Sequence, residues 1–428
     1  MVRLFSILRY SANMSAYGKH LNPSRQARMP LGVKADRHHE VITHNPSSVS
    51  PGETLYVRVP KLQVNTLLVP GTFYLTFDLA STGPANNYFV SNIARGLQAR
   101  IVDKLGGEIL SDLDYSYLYQ TYRDLWLSEK QRRNMTLWGI GSKNLRKLRS
   151  NADDAVKSDA VENKLDSVFK TRYCIPIDFE LYSDHGPFYP FAINADFVRE
   201  ITFNIPRYAI EGSATGWSYS IKNLALEYDT VYSEELARQV ESDLTAGVSF
   251  MYDYVTHFRT QSTGSSKMIN TNVNVPRRSM KGLLIFFQED FNDGEYDSES
   301  TSYKNPDITN VDVIIEGISH KIYKQGLKPY QQWSEVKRHF MPEERKGGED
   351  SHIDEVAYLA ENKYALWVDL RSTEDNSLHG SGLRLVNTKD GVQLAIKRSN
   401  TTDYTMHIFV VADAQVNIQN NQLKAILF

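Results

Sequence analysis

The sequence predicts an all-β protein built from two sandwiches in tandem, and three observations carry that prediction. The chain has 428 residues, enough for two domains of roughly 190 residues and an arm. Apolar side chains alternate with polar ones in run after run, the period-two mark of half-buried strands. The composition includes 25 Tyr and 18 Phe, residues that suit strands better than helices.

Residues 1–45 read as an extended arm. The first 40 carry Arg3, Arg9, Lys19, Arg25, Arg28, Lys34 and Arg37 against Asp36 and Glu40, a local charge of +5 on a chain whose net charge is −3. Residues 11–52 are rich in Ser, Asn, Pro, His and Arg and show little periodicity. Alternation begins at Leu55, Val57 and Val59. It resumes after Pro70-Gly71 with Phe73, Leu75, Phe77 and Leu79. Residues 97–110 read as a hairpin turning at Gly106-Gly107. The period then changes. Tyr115, Leu118, Tyr119, Tyr122 and Trp126 fall on one face of an amphipathic helix. Residues 141–172 are polar and charged, a surface insertion. Strands are expected at Tyr173–Phe179, Phe197–Ile205 and Ile221–Tyr228.

Ser233, Glu234 and Glu235 mark the start of a short helix over 233–245, taken as the domain boundary. Beyond it, Phe250–Arg259 reads as a strand and Leu283–Phe287 as a strand buried on both faces. An acidic loop at 289–300 precedes the strand Val311–Glu316. Pro329 opens a helix with Tyr330, Trp333, Val336 and Phe340 on one side. Tyr364–Leu370 alternates. Strands at Leu383–Val386, Gly391–Ile396, Met406–Val411 and Val416–Ile418 close the chain. The halves match in plan: many short strands, one mid-domain helix and one polar insertion each. The fold expected is therefore two eight-stranded antiparallel jelly rolls in tandem (a double jelly roll) with a few short helices. The first spans residues 46–232 and the second 233–428.

Chemistry-bearing motifs are sparse. His38-His39-Glu40 with His44 lacks zinc-template spacing and reads as polar arm. The run Asp290, Asp293, Glu295, Asp297 and Glu299 places Gly294 where a calcium loop needs an oxygen ligand, and reads as a solvated loop. His379-Gly380-Ser381-Gly382 lacks nucleophile-elbow spacing and reads as a turn, as does Gly212–Gly216. Asn134-Met135-Thr136 and Asn400-Thr401-Thr402 match the glycosylation triplet by chance, because the start of the chain makes a poor secretion signal. Cys174 is the single cysteine, so no intrachain disulfide forms, and it reads as a small core residue. No phosphate loop or dinucleotide fingerprint occurs, and no stretch approaches 18 apolar residues, so no transmembrane segment is expected. No catalytic, cofactor-binding or metal-binding residues are assigned, and no cofactor is expected.

Several segments resemble one family. Ile175-Pro176-Ile177-Asp178-Phe179, Gly186-Pro187-Phe188-Tyr189-Pro190-Phe191 and Val198-Arg199-Glu200-Ile201 lie in the order found late in the first domain of double jelly-roll major capsid proteins of large eukaryotic DNA viruses. Leu226–Tyr232 followed by Glu234-Glu235-Leu236-Ala237-Arg238 is similar to their apolar-tyrosine segment and inter-domain helix. Leu370-Arg371-Ser372, Leu378–Leu383 and Leu385–Gly391 look closest to capsid proteins of Polinton (Maverick) elements and adintovirus-like relatives. The resemblance covers about residues 50–428 and implies a non-enzymatic structural protein of the virion. It implies a homotrimeric capsomer that tiles an icosahedral shell and meets neighbouring capsomers, penton proteins and minor capsid proteins. Arg25, Arg28, Met29 and Leu31 are then candidate assembly residues of the arm, with weak non-specific DNA contact as a second role. Trp126 and Trp333 are candidate core anchors, Trp126 filling the first sandwich. The alternative reading is a tandem sandwich that binds or cleaves carbohydrate, which needs two carboxylates converging on a cleft.

Overall fold

The computed structural model describes residues 36–69, 71–82, 88–90, 92–127, 172–177, 189–211, 218–260, 263–289, 302–341, 353–372, 380–386 and 391–428. The arm residues Arg25, Arg28, Met29 and Leu31, the polar insertion, the acidic loop beyond Glu289 and Gly212–Gly216 lie outside them.

Among the described residues, eight strands make the two main sheets of the first half: β1 (Asp36–Thr43), β2 (Thr54–Arg58), β3 (Tyr74–Thr82), β4 (Gln98–Leu105), β5 (Glu108–Asp114), β6 (Arg172–Pro176), β7 (Phe197–Phe203) and β8 (Ser218–Tyr232). Eight more make those of the second: β9 (Val248–Arg259), β10 (Met268–Val273), β11 (Met280–Gln288), β12 (Ile308–Ile315), β13 (Ile318–Ser319), β14 (Leu366–Asp369), β15 (Val392–Arg398) and β16 (Thr405–Gln419). The first half pairs in the orders β1-β8-β3-β6 and β2-β7-β4-β5, the second in the orders β9-β16-β11-β14 and β10-β15-β12-β13. Adding eight to each strand number converts one half into the other. This is jelly-roll connectivity, drawn twice. Short extra strands extend the pattern: Thr66–Leu68 pairs with β8, and Gln422–Leu427 with β16.

Local chemistry explains the elements. In β2, Leu55 and Val57 are buried while Tyr56 and Arg58 are exposed. The β4–β5 hairpin turns on Gly106 and Gly107, both at positive φ (60° and 92°), where L side chains are strained. On β7 the buried face includes Arg199, whose guanidinium donates to both oxygens of Asp103 on β4 at 2.7 and 3.0 Å. Helix α1 (Ser116–Leu125) lies between β5 and β6. Helix α2 (Glu234–Ala246) joins the halves, and helices α3 (Pro329–Phe340) and α4 (Glu355–Ala360) lie between β13 and β14. The hydroxyl of Ser233 caps α2 by accepting from the Leu236 N–H, and Gly247 ends it at φ 109°.

All nine residues of β11 are buried, as are the first ten of β16. Both faces of these two central strands are therefore covered. Gly282 belongs to that crowding, since a Cβ there would lie 2.5 Å from the Trp367 ring. The two hydrophobic cores do not divide at the domain boundary. Tyr117, Leu118, Tyr122 and Trp126 join the core of the second roll. Conversely Tyr252 and Tyr254 of β9, and Ala414, Val416 and Ile418 of β16, join the core of the first, with Ala237 and Leu244 of α2.

Four sequence readings are corrected. The arm does not run to residue 45, because Asp36–Thr43 is a strand in full antiparallel register with β8. All eight of its side chains are exposed, so no hydrophobic alternation announces it. Trp126 does not fill the first sandwich but packs into the second roll. Tyr330 stands off the buried side of α3, 74% exposed. The last two expected strands are one 15-residue strand, β16.

Candidate assembly surfaces

The joint between the rolls is made by α1 lying on the outer face of the β9-β16-β11-β14 sheet. Tyr119 meets Phe409 at 5.5 Å between ring centroids, and Tyr122 meets Phe286 and Tyr303 at 4.9 Å each. Trp126, from the first half, stacks on Trp333 of α3 at 5.6 Å and on Phe340 at 5.5 Å. The two tryptophans picked from opposite halves of the sequence thus form one cluster. Three tyrosine hydroxyls stitch its rim. Tyr303 donates to the Leu118 carbonyl at 2.9 Å, Tyr252 to the Leu110 carbonyl at 2.7 Å, and Tyr122 to the Lys363 carbonyl at 3.3 Å.

Sequence reasoning missed the histidines at this joint. Tyr115, which precedes α1 in the left-handed region (φ 52°), lays its ring against His257 on β9 (4.6 Å) and His407 on β16 (4.9 Å). His257 Nε2 and His407 Nδ1 are 3.0 Å apart, so one ring donates and the other accepts. Burial, with Arg259 nearby, pushes His257 down to about 3. Burial, His257 and Arg259 push His407 well below its ordinary value. A third ring, His339 of α3, stacks on Trp367 at 3.6 Å, and burial, Arg371 and Lys281 push it down to about 3. Strand parity is the signal that could have found the pair: Phe409, under α1, lies two residues from His407 and opposite His257 in register.

A buried polar knot closes the other end of the sheet. Lys281 Nζ lies 2.6 Å from Asp253 and 3.0 Å from Asp413. Burial pulls its ammonium down, but the two carboxylates outweigh it and hold it above its ordinary value. Asp413 also accepts from the Ser279 hydroxyl and from the Gly380 N–H (2.8 Å). The described part of the glycine-rich turn, Gly380-Ser381-Gly382, is thereby tied to the sheet. Among the described residues no three His, Cys, Asp or Glu side chains are grouped to hold a metal ion.

The equivalent sheet of the first roll, β1-β8-β3-β6, has an outer face on which, among the described residues, Arg37, His39 and Val41 are exposed and Thr76 and Ala225 are buried. On it Asp229 accepts from Arg37 Nε at 2.9 Å and lies 2.8 Å from His39 Nδ1. His39 and Arg37 together hold that carboxylate below its ordinary value. His44 turns inward, with its ring nitrogens 3.1 Å from the Pro46 and Tyr56 carbonyls. A groove of about 830 Å³ beside these residues contains Asp196 and Glu200. Asp196 lies 3.5 Å from both Arg58 and Lys61, and Glu200 lies 2.6 Å from Lys104. Neither carboxylate has the apolar setting that a glycosidase acid requires.

No protein-family model and no curated protein sequence matches the chain. Solved structures match it over nearly its whole length. PBCV-1 VP54, fitted into a cryo-EM reconstruction of the virophage Sputnik, is similar at TM-score 0.62 and 12% identity, with 94% of this chain and 99% of that one covered. The Faustovirus major capsid protein is similar at TM-score 0.54 and 9% identity, with 97% of each chain covered. A chain of the Sputnik virophage solved by cryo-EM is similar at TM-score 0.54 and 10% identity, with 92% of this chain and 89% of that one covered. At such identities the likeness is one of fold, and the fold is the double jelly roll.

Proposed function

We propose that the chain is the non-enzymatic major capsid protein of a double-stranded DNA virus or virus-like element. In this reading it forms homotrimers of six-lobed outline that tile an icosahedral shell. The observation that carries the reading is the likeness of fold, which extends over 94% of this chain and 99% of PBCV-1 VP54. Two sandwiches per chain, repeated three times about an axis, make a six-lobed block. Head-to-tail contacts around such an axis close into a ring. The virion shell is then where the protein resides. Its partners are itself, neighbouring capsomers, penton proteins and minor capsid proteins, with the basic arm docking a protein neighbour or touching packaged DNA weakly. The C-terminal segments Leu370–Ser372 and Leu385–Gly391 favour a Polinton-like or adintovirus-like source.

Light scattering of the purified chain at micromolar concentration, followed by negative-stain imaging, tests this reading. Trimers of six-lobed outline are expected. A stable monomer under conditions that permit assembly overturns the proposal.

A further inference from the structure

Both rolls insert helix at the same topological place, between their fifth and sixth strands: α1 in the first, α3 and α4 in the second. The first insertion is used inside the chain, since α1 covers the outer face of β9-β16-β11-β14. The second is used only in part: α3 stacks Trp333 and Phe340 on Trp126 and His339 on Trp367, while the outer side of α4 stays exposed. On α4, Ala357 and Tyr358 point inward and are buried, while Val356 and Leu359, three residues apart and so on one face, are 67% and 48% exposed. Tyr358 packs on Trp333 of α3, and Tyr330, one turn before Trp333, is exposed as well. A helix apolar on both faces is normally a covered helix.

The matching vacancy is on the first roll. The central strand of the second-roll sheet, β16, is buried on both faces over ten residues. Its equivalent β8 alternates, and the neighbouring edge strand β1 is exposed throughout. On this face Val41, Val231 and Tyr74 surround the Arg37–Asp229 ion pair. That mixture suits a surface that stays soluble before assembly and is covered after it.

We propose that the outer face of α4, with Tyr330, docks on the exposed part of the outer β1-β8-β3-β6 face of a second copy of this chain. The contact repeats between subunits what α1 does within one. It rests on the trimer reading above and assigns that trimer its contact surfaces. Each copy donates one helical face and accepts one, so the contact is head-to-tail, the kind that makes a ring when its rotation closes, as the three-fold trimer reading requires.

The test uses the full chain. Val356→Glu combined with Leu359→Glu forces two charges into the contact. Val41→Arg does the same from the accepting side. Mass is read by sedimentation at micromolar concentration and fold by circular dichroism. Each variant is expected to keep the wild-type spectrum and to associate at least about 100-fold more weakly. Hydrogen exchange of the wild type, compared between concentrated and dilute protein, is expected to show protection of 36–43 and 353–360 that vanishes on dilution. That measurement decides the matter if a variant misfolds. A wild-type trimer that neither variant weakens, or in which neither segment is protected, overturns this inference and leaves the trimer reading standing. A wild-type monomer overturns both.

Discussion

Mild acid should loosen the joint between the two rolls. His407 is buried there and His257 half-buried under Tyr115, joined by one hydrogen bond that needs one N–H and one lone pair. Arg259 faces the site, donating to the Tyr115 hydroxyl, so a second positive charge arrives unwelcome. His257 is pushed down to about 3, His339 likewise, and His407 in the same direction. A histidine whose folded pKa is depressed binds its proton first in the unfolded chain. The unfolded state therefore takes up more protons below about pH 6.5, and stability falls with pH until the folded groups titrate near 3. By pH 5 the cost is about 2 kcal/mol for each such ring, hence about 4 kcal/mol for His257 and His339, with His407 adding to it. Against a total of roughly 5–15 kcal/mol, that is a large share. Urea unfolding at pH 7 and pH 5, at one protein concentration, measures the loss. In His257→Gln/His407→Gln it should shrink by at least about 2 kcal/mol, because the carboxylates titrate equally in both proteins and cancel. Equal losses in wild type and variant would refute the assignment of neutral histidines to this joint.

Three further perturbations follow from the same geometry. Trp126→Ala removes a large buried ring from the second roll's core and should cost about 3–5 kcal/mol in denaturant unfolding, with a coupling to Trp333→Ala of about 0.5–1.5 kcal/mol in a double-mutant cycle. A loss below about 1 kcal/mol would show the stack to be peripheral. Lys281→Met leaves Asp413 buried without its ammonium partner and should cost about 3–5 kcal/mol, read as a fall in denaturation midpoint that is largest near neutral pH. Deleting residues 1–35 should leave the subunit's melting temperature unchanged while impairing shell assembly, whereas deleting 1–43 also removes β1 and should lower the melting temperature. Normal shells from the shorter deletion would deny the arm a role in assembly.

How much of this was legible in the sequence depended on where water lies. Strands with one wet face, such as β2 and β7, show their alternation directly, and the doubly buried β11 shows as an uninterrupted apolar run. β1 is wet on both faces. Backbone pairing to β8, the Arg37–Asp229 ion pair and the His39–Asp229 hydrogen bond hold it, and none of these leaves a periodic trace. The 3.6-residue stripe from Tyr115 to Trp126 correctly announced a helix with one apolar face. Such a stripe says nothing about which sheet receives it, so the assignment of Trp126 to its own half failed. The histidine pair was invisible for a related reason. Its two members lie 150 residues apart, and only the antiparallel register of β9 with β16 brings them together.

The two halves share strand order, and they differ in what lies on the second face of one sheet. Jelly-roll connectivity needs only that each strand present one apolar face to the opposite sheet, a demand many sequences meet. The second face of each sheet is free to be specified by its neighbours. In β9-β16-β11-β14 that face became aromatic, with Phe286, His407 and Phe409 lying under α1. In β1-β8-β3-β6 it is mixed, with Glu227 and Asp229 beside Val41, Val231 and Tyr74, and with Thr76 donating to Glu227 at 2.8 Å. An aromatic face is unfit for prolonged exposure, whereas a mixed face tolerates water until a partner arrives. The asymmetry therefore sets different demands on the two sheets: the aromatic face of the second roll has to be covered within the chain, by α1, whereas the exposed part of the first roll's face needs no cover for the chain to fold.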